Sequence, residues 1–231
     1  MHSSWRSRLE SLPWSAPPDP GGRVLVVSAH PDDEVLAIGG WLAGQTDRDV
    51  TFVTATDGDA SHPDSPTLSP EDLIARRPGE LIEALRVLGF DDPDVRRLRL
   101  PDGGLADESA TLLDSLGKLV DGADLVLAPF DADGHPDHDA IGAAAVELCG
   151  DHTMLWQFPI WTWAWTEPAD QPWLPRVRRL DCTSTGRVRK RRAIAAFETQ
   201  VEPLSDHPAD AAVVGGVLLH HALYAPEAVL V

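Results

Sequence analysis

Two clusters of imidazole and carboxylate, far apart along the chain, hold the residue types that bind metals and move protons. The first is Ala29-His30-Pro31-Asp32-Asp33-Glu34, directly after the apolar run Val24 to Ser28. The second is Asp131-Ala132-Asp133-Gly134-His135-Pro136-Asp137-His138-Asp139, directly after the apolar run Leu125 to Phe130. A catalytic zinc commonly takes three protein ligands from imidazole and carboxylate and leaves its fourth position to water. His30, Asp33 and His138 would supply such a His-Asp-His set. The same set could hold iron or another first-row metal, because geometry and availability decide occupancy more than ligand type does. Acidic residues after a strand also serve as helix N-caps and first-turn residues with no metal involved. Two His-Pro-Asp motifs, both at strand ends, are harder to explain by capping than one.

For these clusters to meet, the strands before them must end side by side. Apolar runs place strands at 23–29, 50–55, 95–100, 124–130 and 154–159, with a sixth at 177–180. Helical periodicity falls between them at 34–43, 81–88, 108–120, 139–149 and 187–199. Alternation of this kind implies βαβ units, right-handed crossovers and a mostly parallel sheet. Ligands of open α/β sheets bind beyond the carboxyl ends of the strands, where both clusters fall. No Gly-x-Gly-x-x-Gly follows the first strand, which argues against a dinucleotide there. Residues 1–22, with Pro13, Pro17, Pro18 and Pro20, read as an irregular leader, and residues 23–231 as a single domain. Thr56 to Glu71 and Ile160 to Arg176 read as long loops of functional or mobile character. The second holds Trp161, Trp163, Trp165 and Trp173, with Trp156 just before it, rings suited to a sugar-binding wall or equally to sealing a core or an oligomer interface.

The pairing of Ala29-His30-Pro31-Asp32-Asp33-Glu34 with His135-Pro136-Asp137-His138 resembles the PIG-L/LmbE-like family of zinc-dependent N-deacetylases. The resemblance extends through Thr56-Asp57-Gly58, Arg77 to Glu80 ahead of Leu88-Gly89, Leu100-Pro101-Asp102-Gly103, and a closing segment from Ala193 to Glu227. It implies an α/β, Rossmann-like three-layer sandwich (the LmbE-like fold), one Zn2+ per chain and removal of an N-acetyl or other N-acyl group from an amino-sugar conjugate. In that reading zinc is held by His30, Asp33 and His138, and Asp32 is the general base. His135 faces the substrate, stabilising the oxyanion or protonating the leaving amine, with Asp137 holding its other nitrogen. An exchange of roles between His135 and His138 is the alternative. Arg77 matches an arginine that contacts substrate, although Pro78-Gly79 suit a helix interior poorly and would move Arg77 onto the preceding loop if Pro78 opened the helix. Asp57, ending the second strand, is a second candidate for substrate contact, and a turn-forming Asp-Gly is its plainer reading. Glu34 is expected in the first helical turn, His62 in solvent, and His220 and His221 in packing. An amidase for larger acyl or thiol-linked conjugates is an alternative function, and a Rossmann-like binding or transferase domain is one from a different class.

Composition bounds these readings. The 231 residues carry 37 acidic against 19 basic side chains, a formal charge of −18, which argues against nucleic acid or an anionic membrane as partner. Lys118 and Lys190 are the only lysines, which reads as coding bias rather than an arginine-rich binding face. Cys149 and Cys182 lie in no metal-ligand spacing and read as reduced thiols. With no signal-like apolar stretch near the start and no apolar run near ~20 residues, a cytoplasmic protein is expected. Homo-oligomerisation is left open.

Overall fold

Continuous apolar runs bounded by polar turns suit strands covered on both faces, and the central strand here, β1 (Val24–Ser28), is buried throughout. The computed structural model describes residues 5–13, 15–151, 153–169 and 171–231. Its other strands are β2 (Val50–Thr54), β3 (Asp94–Arg97), β4 (Leu125–Pro129), β5 (Met154–Phe158), β6 (Val177–Arg179) and β7 (Ala228–Leu230). They form one sheet in the order β3-β2-β1-β4-β5-β7-β6. The run from β3 to β5 is parallel, and β7 lies antiparallel between β5 and β6. The central sheet is thus mostly parallel, as expected; β7 was not foreseen, being a short strand that only its two neighbours define.

The helices are α1 (Trp5–Ser11), α2 (Asp33–Leu42), α3 (Pro70–Leu88), α4 (Ser109–Val120), α5 (Pro136–Cys149), α6 (Thr162–Trp165), α7 (Ser184–Ile194), α8 (Glu198–Val201) and α9 (Gly216–Tyr224). Successive strand residues point to opposite faces. Val24 and Val26 of β1 therefore join one core with α2, α3, α7 and α9 residues such as Val35, Leu85, Ile194 and Leu218. Leu25 and Val27 join the other core, with Leu112 and Leu116 of α4 and Ile141 of α5. The result is three layers, helix on sheet on helix.

Helix boundaries show where local rules were outvoted. Ser69 caps α3 through a capping box with Asp72, Pro70 takes the first position, and the helix continues through Pro78. Sequence periodicity placed that helix at 81–88 only, because Pro78 forfeits a backbone hydrogen bond. In α2, Ile38 leaves helical geometry (φ −129°, ψ 17°). The Glu227 carboxylate then accepts from the amides of Gly40 (2.7 Å) and Trp41 (2.8 Å), and Lys190 balances its charge at 2.8 Å. Arginines of α7 close other helix ends: Arg189 donates to Leu88 O at the end of α3, and Arg191 to Leu223 O near the end of α9.

Trp5–Ser11, expected to be irregular, form helix α1 instead, and this helix packs onto the tryptophan loop. Trp5 of α1 packs edge-on against Trp163 and stacked on Trp173, and its indole donates to Thr166 O at 2.9 Å. Trp163 also stacks on His221, ring centroids 4.9 Å apart. Burial, with Lys190 and His220 nearby, pushes the His221 imidazole down to about 3. The unfolded chain therefore binds a proton here that the folded chain does not, from the ordinary histidine value near 6.5 downwards. Stability is expected to fall as pH drops below about 6.5, by at most about 1.4 kcal/mol per pH unit for this one proton. His221→Phe keeps the stacked ring and removes the proton, so its urea midpoint should fall less between pH 7 and pH 5 than that of the wild type. An equal fall in both proteins would show that His221 does not titrate in this way. No helix among the described residues is long and apolar enough to cross a membrane.

Candidate metal centre and active site

β1 hands the chain to β2 on one side, while β4 begins the other half of the sheet, so a crevice opens beyond the ends of β1 and β4. His30 to Asp33 leave β1 into α2, and Asp131 to His138 leave β4 into α5. Pro136 occupies the first turn of α5, its fixed φ suiting that position. The helix therefore starts three residues earlier than the expected Asp139, and Asp137 and His138 sit in its first turn.

The structure brings His30, Asp33 and His138 together. His30 Nδ1 and His138 Nε2 are 3.3 Å apart. His138 Nε2 is 3.3 Å from Asp33 Oδ1, and His30 Nδ1 is 3.7 Å from Asp33 Oδ2. A tetrahedral zinc with bonds of about 2.0–2.1 Å keeps its ligand atoms about 3.3–3.4 Å apart, so the three donors fit around one such ion. Each ring is oriented from behind by carboxylate, as metal-binding histidines commonly are. His138 Nδ1 meets Asp133 Oδ2 at 2.8 Å, and His30 Nε2 lies 3.0 Å from Asp102 Oδ1 and 3.4 Å from Asp137 Oδ2. Burial pulls the His138 ring down, but Asp33 and Asp133 outweigh it and push it up to about 9. A field that favours positive charge so strongly on buried imidazole is one that would hold a cation.

His30, His135 and Asp137 also have potential ligand atoms within 4.8 Å of one another. The Asp137 oxygens and His135 Nδ1 are otherwise engaged: Asp137 accepts from the amides of Gly103 (2.7 Å) and Leu105 (3.1 Å), and His135 Nδ1 accepts from the Asp137 amide at 3.3 Å. This corrects one expectation. Asp137 does not hold the His135 ring with its carboxylate; it supports His30, and only its backbone touches His135. An Nδ1 that accepts leaves the His135 proton on Nε2. Burial, with His138 and His30 nearby, lowers the His135 pKa.

Asp32 faces an open cleft of about 180 Å³, shared with His30, Asp33, Arg77, Asp102 and His135. Burial lifts its carboxyl to about 6 against the opposing pull of Arg77. Arg77, buried within α3 rather than on a loop, donates from Nη1 to Gly58 O at 2.6 Å and sets Nη2 3.3 Å from Asp32 Oδ2. Gly58 adopts φ +71°, and a Cβ there would lie 1.7 Å from Arg77 Nη1. Gly58→Ala is thus expected to lower stability by about 1–3 kcal/mol through strain and displacement of Arg77; an unchanged denaturant midpoint would refute this.

Other expected positions fall elsewhere. Asp57 does not line the cleft: Arg97 Nε holds its carboxylate at 2.7 Å, and it faces a separate depression. Glu80 accepts from the amide and hydroxyl of Thr199, anchoring α8 and with it Gln200, which lines the cleft. His62 is buried rather than solvent-facing. Glu34 lies in the first turn of α2 as expected; burial pushes it up to about 8, and the Ser28 hydroxyl donates to it at 2.7 Å. The tryptophans divide: Trp161 lines the cleft and stacks on the exposed Trp165 at 4.6 Å, while Trp163 and Trp173 join the core under α1.

Asp133 was missed. Its carboxylate holds His138 and also accepts from the amides of Ile160, Trp161 and Thr162, each at 2.9 Å, and from the Thr162 hydroxyl at 2.7 Å. The run from Asp131 to Asp139 contains four aspartates, and no spacing rule singles this one out. Asp102 lay within a segment of the family resemblance but carried no signal of its own.

Comparisons with known proteins place the chain among deacetylases. Residues 25–149 match the profile of PIG-L, described as GlcNAc-PI de-N-acetylase. A 1D-myo-inositol 2-acetamido-2-deoxy-alpha-D-glucopyranoside deacetylase of Mycolicibacterium gilvum (strain PYR-GCK) is 31% identical over 173 residues, 62% of this chain and 59% of that protein. A probable N-acetyl-alpha-D-glucosaminyl L-malate deacetylase 2 of Bacillus subtilis (strain 168) is 34% identical over 131 residues, 53% of this chain and 58% of the relative. The matched regions thus span less than two thirds of these relatives. Among solved structures, the A40926 pseudoaglycone deacetylase Dbv21 superposes with a TM-score of 0.58 at 28% identity, over 76% of this chain and 81% of that one.

Proposed function

The chain belongs to the PIG-L family, and on that premise we propose that it is a metal-dependent hydrolase removing an N-acyl group from an amino-sugar conjugate. The observation that supports this most is the convergence of His30 Nδ1, His138 Nε2 and the Asp33 carboxylate, 3.3, 3.3 and 3.7 Å apart, beside a carboxylate, Asp32, that faces the cleft. His30, Asp33 and His138 would hold the metal, with zinc as the proposed ion. Bound there, it would supply Lewis acidity toward the amide carbonyl and lower the pKa of water.

The residues of this chain do the rest. With a pKa lifted to about 6 by burial, Asp32 is ionised at neutral pH yet basic enough to take a proton from the attacking water. Arg77 holds that carboxylate in place and reaches the same cleft, where a substrate hydroxyl could meet it. His135, with its proton on Nε2, offers a hydrogen bond where negative charge develops on the carbonyl oxygen. Return of the proton from Asp32 to the nitrogen lets the C–N bond break, giving a free amine and a carboxylate. Asp137 and Asp133 act as positioning residues through His30 and His138.

The test is free-amine release from a panel of N-acetylglucosaminides, with the protein zinc-loaded and chelated. Release that stops on chelation and returns with zinc is the expected result. No release from a protein carrying one zinc per chain would sink the amino-sugar reading, and failure to bind metal at all would sink the hydrolase itself.

A further inference from the structure

Among the described residues, Trp165 is the one exposed tryptophan, at 56%. Its ring is nevertheless held in place. It stacks on Trp161 with centroids 4.6 Å apart and planes 19° apart, and it packs against Gly134, where a Cβ would lie 3.4 Å from the ring. The one-turn helix α6 that carries it is fixed at both ends. Asp133 accepts from the amides of Trp161 and Thr162 at its start, and Thr166 O accepts from the Trp5 indole just past its end. The stack leads into the cleft, which Trp161 and His135 both line. The His135 ring lies 6.3 Å from Trp161 and 6.4 Å from Trp165, and no two of the three planes differ by more than 20°.

A single exposed apolar side chain is ordinary on a protein surface. One that is fixed on both sides and lies parallel to a ring of the active site is not accounted for by folding, because its open face buries nothing. The cleft holds about 180 Å³, less than the ~300–1,000 Å³ of sites that enclose a drug-sized ligand. Part of a conjugate larger than one sugar therefore lies outside it, past the rim. On the Trp161 side the rim continues into the Trp165 indole. A flat group stacks on such a face, and a ring gives up less rotamer freedom there than an open chain of the same size.

Resting on the hydrolase reading above, we propose that Trp165 is the recognition platform for the aglycone. The group it takes is a ring, aromatic or saturated, whose face lies on the indole while the amino sugar occupies the cleft.

The zinc-loaded protein would be assayed for amine release from N-acetylglucosamine carrying phenyl, cyclohexyl, n-hexyl or methyl as its aglycone. The two rings are expected to give a kcat/KM about 2–10-fold above that of hexyl, the usual worth of one stacked pair. Phenyl above cyclohexyl would identify an aromatic ring, and the reverse a saturated one. Trp165→Ala should abolish the ring-to-hexyl ratio, and Trp165→Phe should keep most of it. Titration calorimetry on zinc-loaded Asp32→Asn protein, with and without Trp165→Ala, should show the same change in the ratio of Kd values. A hexyl aglycone equal to the rings, or a ring preference that survives Trp165→Ala, would overturn the platform and leave the hydrolase reading standing. No release from any of the four would remove the hydrolase reading, and this one with it.

Discussion

Asp32→Asn is expected to lower amine release by about 10²–10⁴-fold, the usual worth of a positioned base, with bound zinc still at one per chain. The substitution preserves size and removes the basic oxygen. Asp32 stands at the N-cap of α2 yet makes no side-chain capping bond, so the helix loses no cap when the charge goes. Asp33, the carboxylate that meets both His30 and His138, is untouched. The neighbour that does feel the change is Arg77, left without its ion pair at 3.3 Å. Metal content by elemental analysis, read beside kcat, separates the two roles open to this aspartate. Inactivity with full zinc occupancy is the signature of a base. An emptied site would show instead that Asp32 is a ligand and that the division between it and Asp33 is wrong.

Asp133→Ala should weaken zinc binding by about 10–100-fold without removing a ligand, as loss of a partner behind a metal-binding histidine commonly does. The buried Asp133 carboxylate is the meeting point of His138 and the chain from Ile160 to Thr162. Its removal frees the His138 ring to rotate. It also leaves three buried or half-buried amides unpartnered, at about 1–3 kcal/mol for each that water does not reach. The denaturant midpoint should therefore drop together with zinc affinity. Tryptophan fluorescence should change as well, because the Trp161 amide is one of the three and its ring lines the cleft. Zinc affinity equal to that of the wild type, measured by competition with a chelating dye, would show that His138 keeps its orientation without Asp133.

The sequence by itself determined the parts of this protein that depend on residues adjacent in the chain. Runs such as Val24 to Ser28 and Leu125 to Pro129 are buried at every position and almost wholly apolar because helices cover both faces of the sheet, so the strands could be read directly. Histidine and aspartate immediately after such strands are carried to the crevice by the parallel topology, which is why His30, Asp33 and His138 were legible as one group. Only the tertiary structure decided which carboxylate serves which ring. Asp102 and Asp137 come to His30 through contacts between segments that no local spacing records, and Asp137 supports His30, 107 positions away, rather than His135, its near neighbour. The same holds for α3, where the local cost of Pro78 is offset by burying Arg77 against Gly58 and Asp32. It holds too for Asp57, which Arg97 draws out of the cleft, and for β7, a three-residue strand that exists because β5 and β6 leave a place between them. In each case the deciding energy is a partner supplied by a distant part of the chain, and only the folded arrangement brings that partner near.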